Sequence, residues 1–157
     1  MRTASTVKFM ERKSWIVVGT DFTECADQAL AHAVVMASQT GANIALVHAY
    51  DDLPDGAAND VDLVGELRSR LQSAIARSRA VEHGIHVEPV LRRGMVWEKL
   101  QNVATDLGAD LIMIGARARR HETEAPIGGL TTHAITAAKR SVLVIALHDT
   151  RTQMEES

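Results

Sequence analysis

The sequence predicts an α/β fold in which a parallel sheet carries helices on both faces. Four short, continuous apolar segments recur along the chain, as in strands that are buried on both sides, and a fifth segment over about Ile85–Leu91 mixes apolar and polar residues. Longer segments with apolar residues at helical spacing separate them. Because strands joined through helices need crossover connections, they lie parallel in one sheet, and right-handed crossovers place helices on both of its faces.

The first strand–helix unit is the clearest part of this pattern. WIVVG at Trp15–Gly19 is an apolar strand, after which the chain turns, with Thr23 as the predicted N-cap. The following helix is predicted from Glu24 to about Thr40, and Gly41 is a suitable residue to close it.

The second and third units repeat the alternation. IALVH at Ile44–His48 is the second strand, and a polar loop leads into a helix that Gly84 is predicted to end. The third strand, over about Ile85–Leu91, contains Pro89. Proline cannot donate a hydrogen bond to a central ladder, so this strand is predicted at a sheet edge.

The last part of the chain supplies two more strands. A helix over Met95–Leu107 precedes LIMI at Leu111–Ile114, the fourth strand, and a long polar loop is predicted from Gly115 to Pro126. A short helix is predicted to open at Gly128-Gly129 and to end near Ala138, before a fifth strand at Ser141–Ala146.

Length and composition favour one packed domain. The chain has 157 residues, of which 46% are hydrophobic and 24% charged. We expect a flexible arm over 1–13, the domain over 14–148 and a polar tail over 149–157.

Composition also excludes several classes of protein. A net charge of −3 argues against a dedicated nucleic-acid binder, and no apolar run is long enough to cross a membrane. A signal peptide is not visible, and a single cysteine, Cys25, excludes an internal disulfide framework and a cysteine-rich zinc site. A cytoplasmic protein with neither nucleic-acid nor membrane partners is the simplest prediction.

The segment between the fourth and fifth strands carries the strongest chemical signal. Gly115, Ala118, Gly128 and Gly129 are small enough for backbone to approach a ligand closely. A helix that opens at Gly128-Gly129 offers unpaired N–H groups to an anion such as phosphate, and Arg117 adds a cation nearby. The alternative, which the residues alone leave open, is a tight turn with its arginines in solvent.

At these residues the chain resembles the universal stress protein family, from about Ser14 to Leu147. The resemblance is carried by IVVGTDFTECADQAL, LVHAY, the turn at Gly94, ADLIMIGARAR, and GGLTTHAI followed by SVLVI. It implies a three-layer sandwich of the adenine nucleotide α-hydrolase-like type, with a five-stranded parallel sheet in the order 3-2-1-4-5.

The resemblance also implies a site for ATP, with Mg, which in the family uses Gly-x-x-Gly, nine residues, then Gly-Ser or Gly-Thr. Here the spacing is retained from Gly115 to Gly128, but Ala118 replaces the second glycine and Gly129 the hydroxyl residue. Lost contacts of these two kinds would weaken binding by about one to two orders of magnitude. Leu130 and Thr131 follow in the same segment, and Thr131 or Thr132 would offer a hydroxyl.

At the other end of the implied pocket, the resemblance assigns Asp21 to the adenine or ribose, with Thr20 and the backbone of Ala49 completing that wall. Carboxylates accept hydrogen bonds from polar ligand edges. The alternative for Asp21 is that it caps the first helix.

Two functions follow from the resemblance. The first is a stress-related sensor or signalling protein that binds an adenine nucleotide and has no enzymatic activity beyond slow hydrolysis, since no catalytic motif is present. The second is a nucleotide-free interaction or scaffold protein, which the changes at Ala118 and Gly129 favour. In both, a homodimer through the strand Ser141–Ala146 and an unidentified protein partner are expected, and no metal or catalytic residue is assigned.

Overall fold

A computed structural model describes residues 13–51, 60–117 and 129–147, which form five strands, four α-helices and one 3-10 turn. In chain order these are β1 (Trp15–Gly19), α1 (Glu24–Thr40), β2 (Asn43–Tyr50), α2 (Asp60–Ser78), the 3-10 turn (Ala80–His83), β3 (Val87–Arg93), α3 (Val96–Leu107), β4 (Leu111–Arg117), α4 (Gly129–Ala137) and β5 (Ser141–Leu147).

The strands form one parallel sheet in the order β3-β2-β1-β4-β5. This confirms the predicted topology, including the edge position of the strand that contains Pro89. The chain adds β2 and β3 on one side of β1 and then crosses to add β4 on the other. The order therefore reverses between β1 and β4.

The two faces of the sheet are covered by separate helix layers. Helices α1 and α2 pack on one face around residues such as Leu30, Leu46 and Met113. Helices α3 and α4 pack on the other around Leu100 and Ile112. The inward face of α1 consists largely of alanine, and this small side chain lets the helix lie close to the strands.

The helix ends agree with the sequence prediction in α1 and differ from it in α2. The hydroxyl of Thr23 accepts a hydrogen bond from the Ala26 N–H over 3.4 Å, and Gly41 ends α1 at φ +75°. Helix α2 ends at Ser78, before the predicted Gly84, because Arg79 adopts the left-handed conformation. Gly84 instead ends the 3-10 turn, at φ +71°.

Strand β4 extends further than its apolar segment predicts. The predicted loop from Gly115 is wrong at its start, because Gly115 and Arg117 belong to β4 and pair with Ile145 and Leu147 of β5. Pairing along the whole of β5 extends the strand through residues with little strand preference of their own.

Candidate functional site

The candidate site lies at the carboxyl edge of the sheet, where β1 and β4 meet. Doubly wound sheets bind ligands at this place, because the loops that leave the two strands diverge toward opposite faces and open a crevice. Thr20 and Asp21 follow β1, and Gly115 lies in the last part of β4.

Strand register brings Thr20 and Gly115 to the same level. Val18 of β1 pairs with Met113 of β4, and each site residue lies two positions further along its strand direction. The register thus places both residues at the carboxyl edge of the sheet.

The register of β1 with β2 places Asp21 and Ala49 at the same edge of the sheet. Gly19 pairs with Val47, and each site residue again lies two positions further on. The Thr20 N–H donates to the Val47 carbonyl over 2.9 Å, which fixes the point at which β1 leaves the sheet.

Asp21 lies in a turn that is held by its own neighbours. Its Oδ1 accepts hydrogen bonds from the backbone N–H and the hydroxyl of Thr23, at 3.0 and 2.5 Å. Thr23 is the N-cap of α1. Asp21 does not cap the helix itself but stabilises the capping residue by accepting its hydrogen bonds. The carboxylate is exposed at the edge, where a ligand has access to it.

Thr20 closes the base of this turn. The residue is buried, and its Oγ1 accepts a hydrogen bond from the Phe22 N–H over 3.0 Å. Its side-chain oxygen is therefore used within the turn, which gives Thr20 a structural role beside any contact with a ligand.

Gly115 makes the closest backbone approach at the site. A Cβ on this residue would overlap the carbonyl group of Cys25 and lie 3.0 Å from the Ala26 nitrogen, both in the first turn of α1. The missing side chain therefore lets α1 begin directly against β4. Cys25 itself is buried there, as expected of a small packed hydrophobe.

Helix α4 points its N-terminus at the same edge. Three residues separate its end from β5, which begins at the opposite edge, and Ala134 packs in the second core. Gly129 is its first residue, and Leu130 is exposed. The unpaired N–H groups of this first turn favour an anion. The predicted site residues Ala118 and Gly128 lie outside the described residues, as do the side chains of Arg117 and Thr131.

A separate cavity of about 370 Å³ lies along the β3 edge. Arg68 and Leu71 of α2 line it together with Glu88, Val90 and Arg92 of β3. It does not include the predicted site residues.

The described residues contain neither a cluster of metal-ligating side chains nor a membrane-spanning helix. Nowhere in 13–51, 60–117 and 129–147 do three or more His, Cys, Asp or Glu residues group as metal ligands. Within the same ranges, no helix is long and apolar enough to cross a membrane.

Sequence reasoning missed three residues beside the site: Phe22, His48 and Arg70. Their side chains meet next to the turn that carries Asp21. No motif joins residues this far apart in the chain. The one feature of the sequence that could have indicated these contacts is His48, a polar residue near the end of an apolar strand.

The profile of the universal stress protein family matches residues 15–146. The chain belongs to the universal stress protein family. Universal stress protein MJ0577 of Methanocaldococcus jannaschii is 23% identical over 150 residues, covering 83% of this chain and 93% of the relative. A solved structure of a family protein from Burkholderia pseudomallei matches with a TM-score of 0.64 at 25% identity, covering 86% of this chain and 97% of that one.

Two other solved structures were determined with nucleotides. One is a universal stress protein in complex with cAMP, with a TM-score of 0.66 at 19% identity, covering 87% of this chain and 98% of that one. The other is the universal stress protein from Archaeoglobus fulgidus in complex with dAMP, with a TM-score of 0.62 at 21% identity, covering 85% and 97%. These similarities show that the chain shares the fold of the solved family structures, as the family resemblance implies.

Proposed function

We propose that this universal stress protein binds an adenine nucleotide, ATP with Mg, in a sensing or signalling role. The observation that carries the proposal is the placement of Thr20, Asp21 and Gly115 at the strand-order reversal, on the sheet edge where β4 ends before α4. Two family structures with cAMP and dAMP support the choice of adenine nucleotides as the ligand class.

Asp21 and the N-terminus of α4 suit different ends of a nucleotide. The exposed carboxylate of Asp21 accepts hydrogen bonds from ribose hydroxyls or from an amino group of the base. The N-terminus of α4 offers amides and a positive dipole end to the phosphates. No catalytic role is proposed, because the sequence contains no paired base and nucleophile.

A nucleotide-free scaffold protein is the second candidate. The observation that favours it is the pair of altered motif positions, Ala118 and Gly129. Each change removes a contact of the kind that holds a phosphate: close backbone approach at the first position and a hydroxyl at the second.

Thermal denaturation with and without Mg-ATP separates the two candidates. A ligand that binds only the native state adds about 2.7 kcal/mol at one hundred times its Kd, so the midpoint is expected to rise by roughly 5–10 °C. GTP at equal concentration is the control for nonspecific phosphate effects. An unchanged midpoint, with no adenine nucleotide released from the denatured protein, would favour the scaffold.

We also propose a homodimer through β5, whose sequence from Ser141 to Ala146 is mostly apolar. Among the described residues no strand lies beyond β5, and Leu143 on this strand is 37% exposed. An uncovered apolar edge strand pairs readily with a second copy. In such a dimer the two five-stranded sheets form one continuous ten-stranded sheet.

Leu143→Lys is expected to convert the dimer to a monomer, because an edge lysine opposes strand pairing. Light scattering measures the mass. Val35→Lys, at a residue of α1 that is 58% exposed, is the control for adding a lysine to the surface. Val144 is a poorer choice because it packs on the second core. A Leu143→Lys protein that keeps the dimer mass would contradict the proposed interface.

A further inference from the structure

Phe22 adopts a backbone conformation that large side chains rarely take. Its φ is +64°, in the left-handed region, and the residue lies between Asp21 and the N-cap Thr23. A bulky residue holds this conformation only where its surroundings enforce it, and such positions cluster at binding sites. The contacts that enforce it therefore have a bearing on the candidate site.

His48 of β2 supplies two of these contacts. Its Nδ1 lies 2.7 Å from the Thr20 carbonyl oxygen. Since a carbonyl oxygen only accepts, Nδ1 carries the hydrogen and donates it. The imidazole ring also lies 4.4 Å from the Phe22 ring, centroid to centroid, at a tilt of 37°. His48 thus holds the turn both before and after Asp21.

Arg70 of α2 supplies the other contact. Its guanidinium carbon lies 4.4 Å from the centre of the Phe22 ring, within the range of a cation–π interaction. Arg70 thereby connects the helix after β2 to the turn after β1. His48 and Arg70, which are distant from Phe22 in the chain, thus both contact the Phe22 ring.

We propose that His48 and Arg70 are positioning residues that hold Phe22 in its left-handed conformation and so present Asp21 to the nucleotide. This inference rests on the proposed function, and neither residue needs to touch the nucleotide. A glycine at position 22 takes the left-handed conformation without help, because it has no Cβ. In a Phe22→Gly protein, replacing Arg70 should therefore no longer change the affinity for the nucleotide.

The test is a cycle of Arg70→Ala and Phe22→Gly, with the Kd for Mg-ATP measured by calorimetry. Arg70→Ala is expected to raise the Kd about two- to fivefold, and to leave it unchanged when Phe22→Gly is already present. Arg68→Ala is the matched control, since it removes the same charge from an exposed position on the same helix. An Arg70→Ala effect no larger than that of Arg68→Ala, or one that persists beside Phe22→Gly, would overturn the inference.

Carbon chemical shifts of Phe22 provide a readout that needs no nucleotide. Arg70→Ala and His48→Leu are expected to move the Phe22 Cα shift away from its left-handed value, whereas Arg68→Ala leaves it in place. If the wild-type protein does not bind Mg-ATP, the proposed function fails, and the Phe22 shift alone decides the positioning role. An unmoved Phe22 shift in both variants would refute that role.

Discussion

Gly115→Ala is expected to destabilise the protein by about 3 kcal/mol, or roughly 6–12 °C in the thermal midpoint. The added methyl group would overlap the Cys25 carbonyl at the start of α1. That carbonyl belongs to a capped helix whose inner face is packed on the sheet, so it cannot retreat without moving α1. Thermal and urea denaturation measure the loss.

Gly65→Ala is the matched control for this substitution. Gly65 is an exposed residue inside α2, and a Cβ there meets no atom within 4 Å. The same chemical change should therefore stabilise the protein, by about 0.5–1 kcal/mol, because alanine favours a helix over glycine. If Gly115→Ala were as stable as Gly65→Ala, the close approach of Gly115 to the Cys25 carbonyl would be contradicted.

The double substitution Ala118→Gly and Gly129→Ser is expected to tighten Mg-ATP binding by about ten- to a hundredfold. It restores both altered positions of the family's motif. The glycine removes a methyl group where backbone would approach phosphate, and the serine adds a hydroxyl at the start of α4. Calorimetry of the two single variants and the double variant measures how much each substitution contributes to the gain in affinity.

Ala138→Ser controls for the added hydroxyl. Ala138 is exposed beyond the other end of α4, so a hydroxyl there lies away from the phosphate end of the site. Its Kd should equal that of the wild type. Unchanged affinity in the double variant would mean that the segment after β4 does not hold phosphate as the motif implies.

The parallel sheet and the helix layers could be predicted from the pattern of apolar residues and a few local signals, whereas the full strand order followed from the family resemblance. Pro89 marked the edge strand, and Thr23 and Gly41 marked the ends of α1. Each of these residues acts through its own backbone or nearest neighbours, so the sequence alone carries the information.

The parts that could not be predicted depend on contacts between distant residues. Gly115 looked like a loop glycine that admits a ligand, but its place on β4 comes from pairing with β5, and its bare Cα faces α1. The left-handed residue after Asp21 is Phe22, not glycine, so nothing in the local sequence indicates that conformation. The ring contacts that maintain it join three separate elements.

An adenine nucleotide is expected to bind at the carboxyl edge between β1 and β4. Backbone amide chemical shifts recorded during a titration with Mg-ATP test it most directly. The largest changes are expected at Thr20–Phe22, Ala49, Gly115 and Leu130, with a single saturating curve. Changes confined to the β3 cavity around Arg68 and Arg92, or no changes at all, would contradict it.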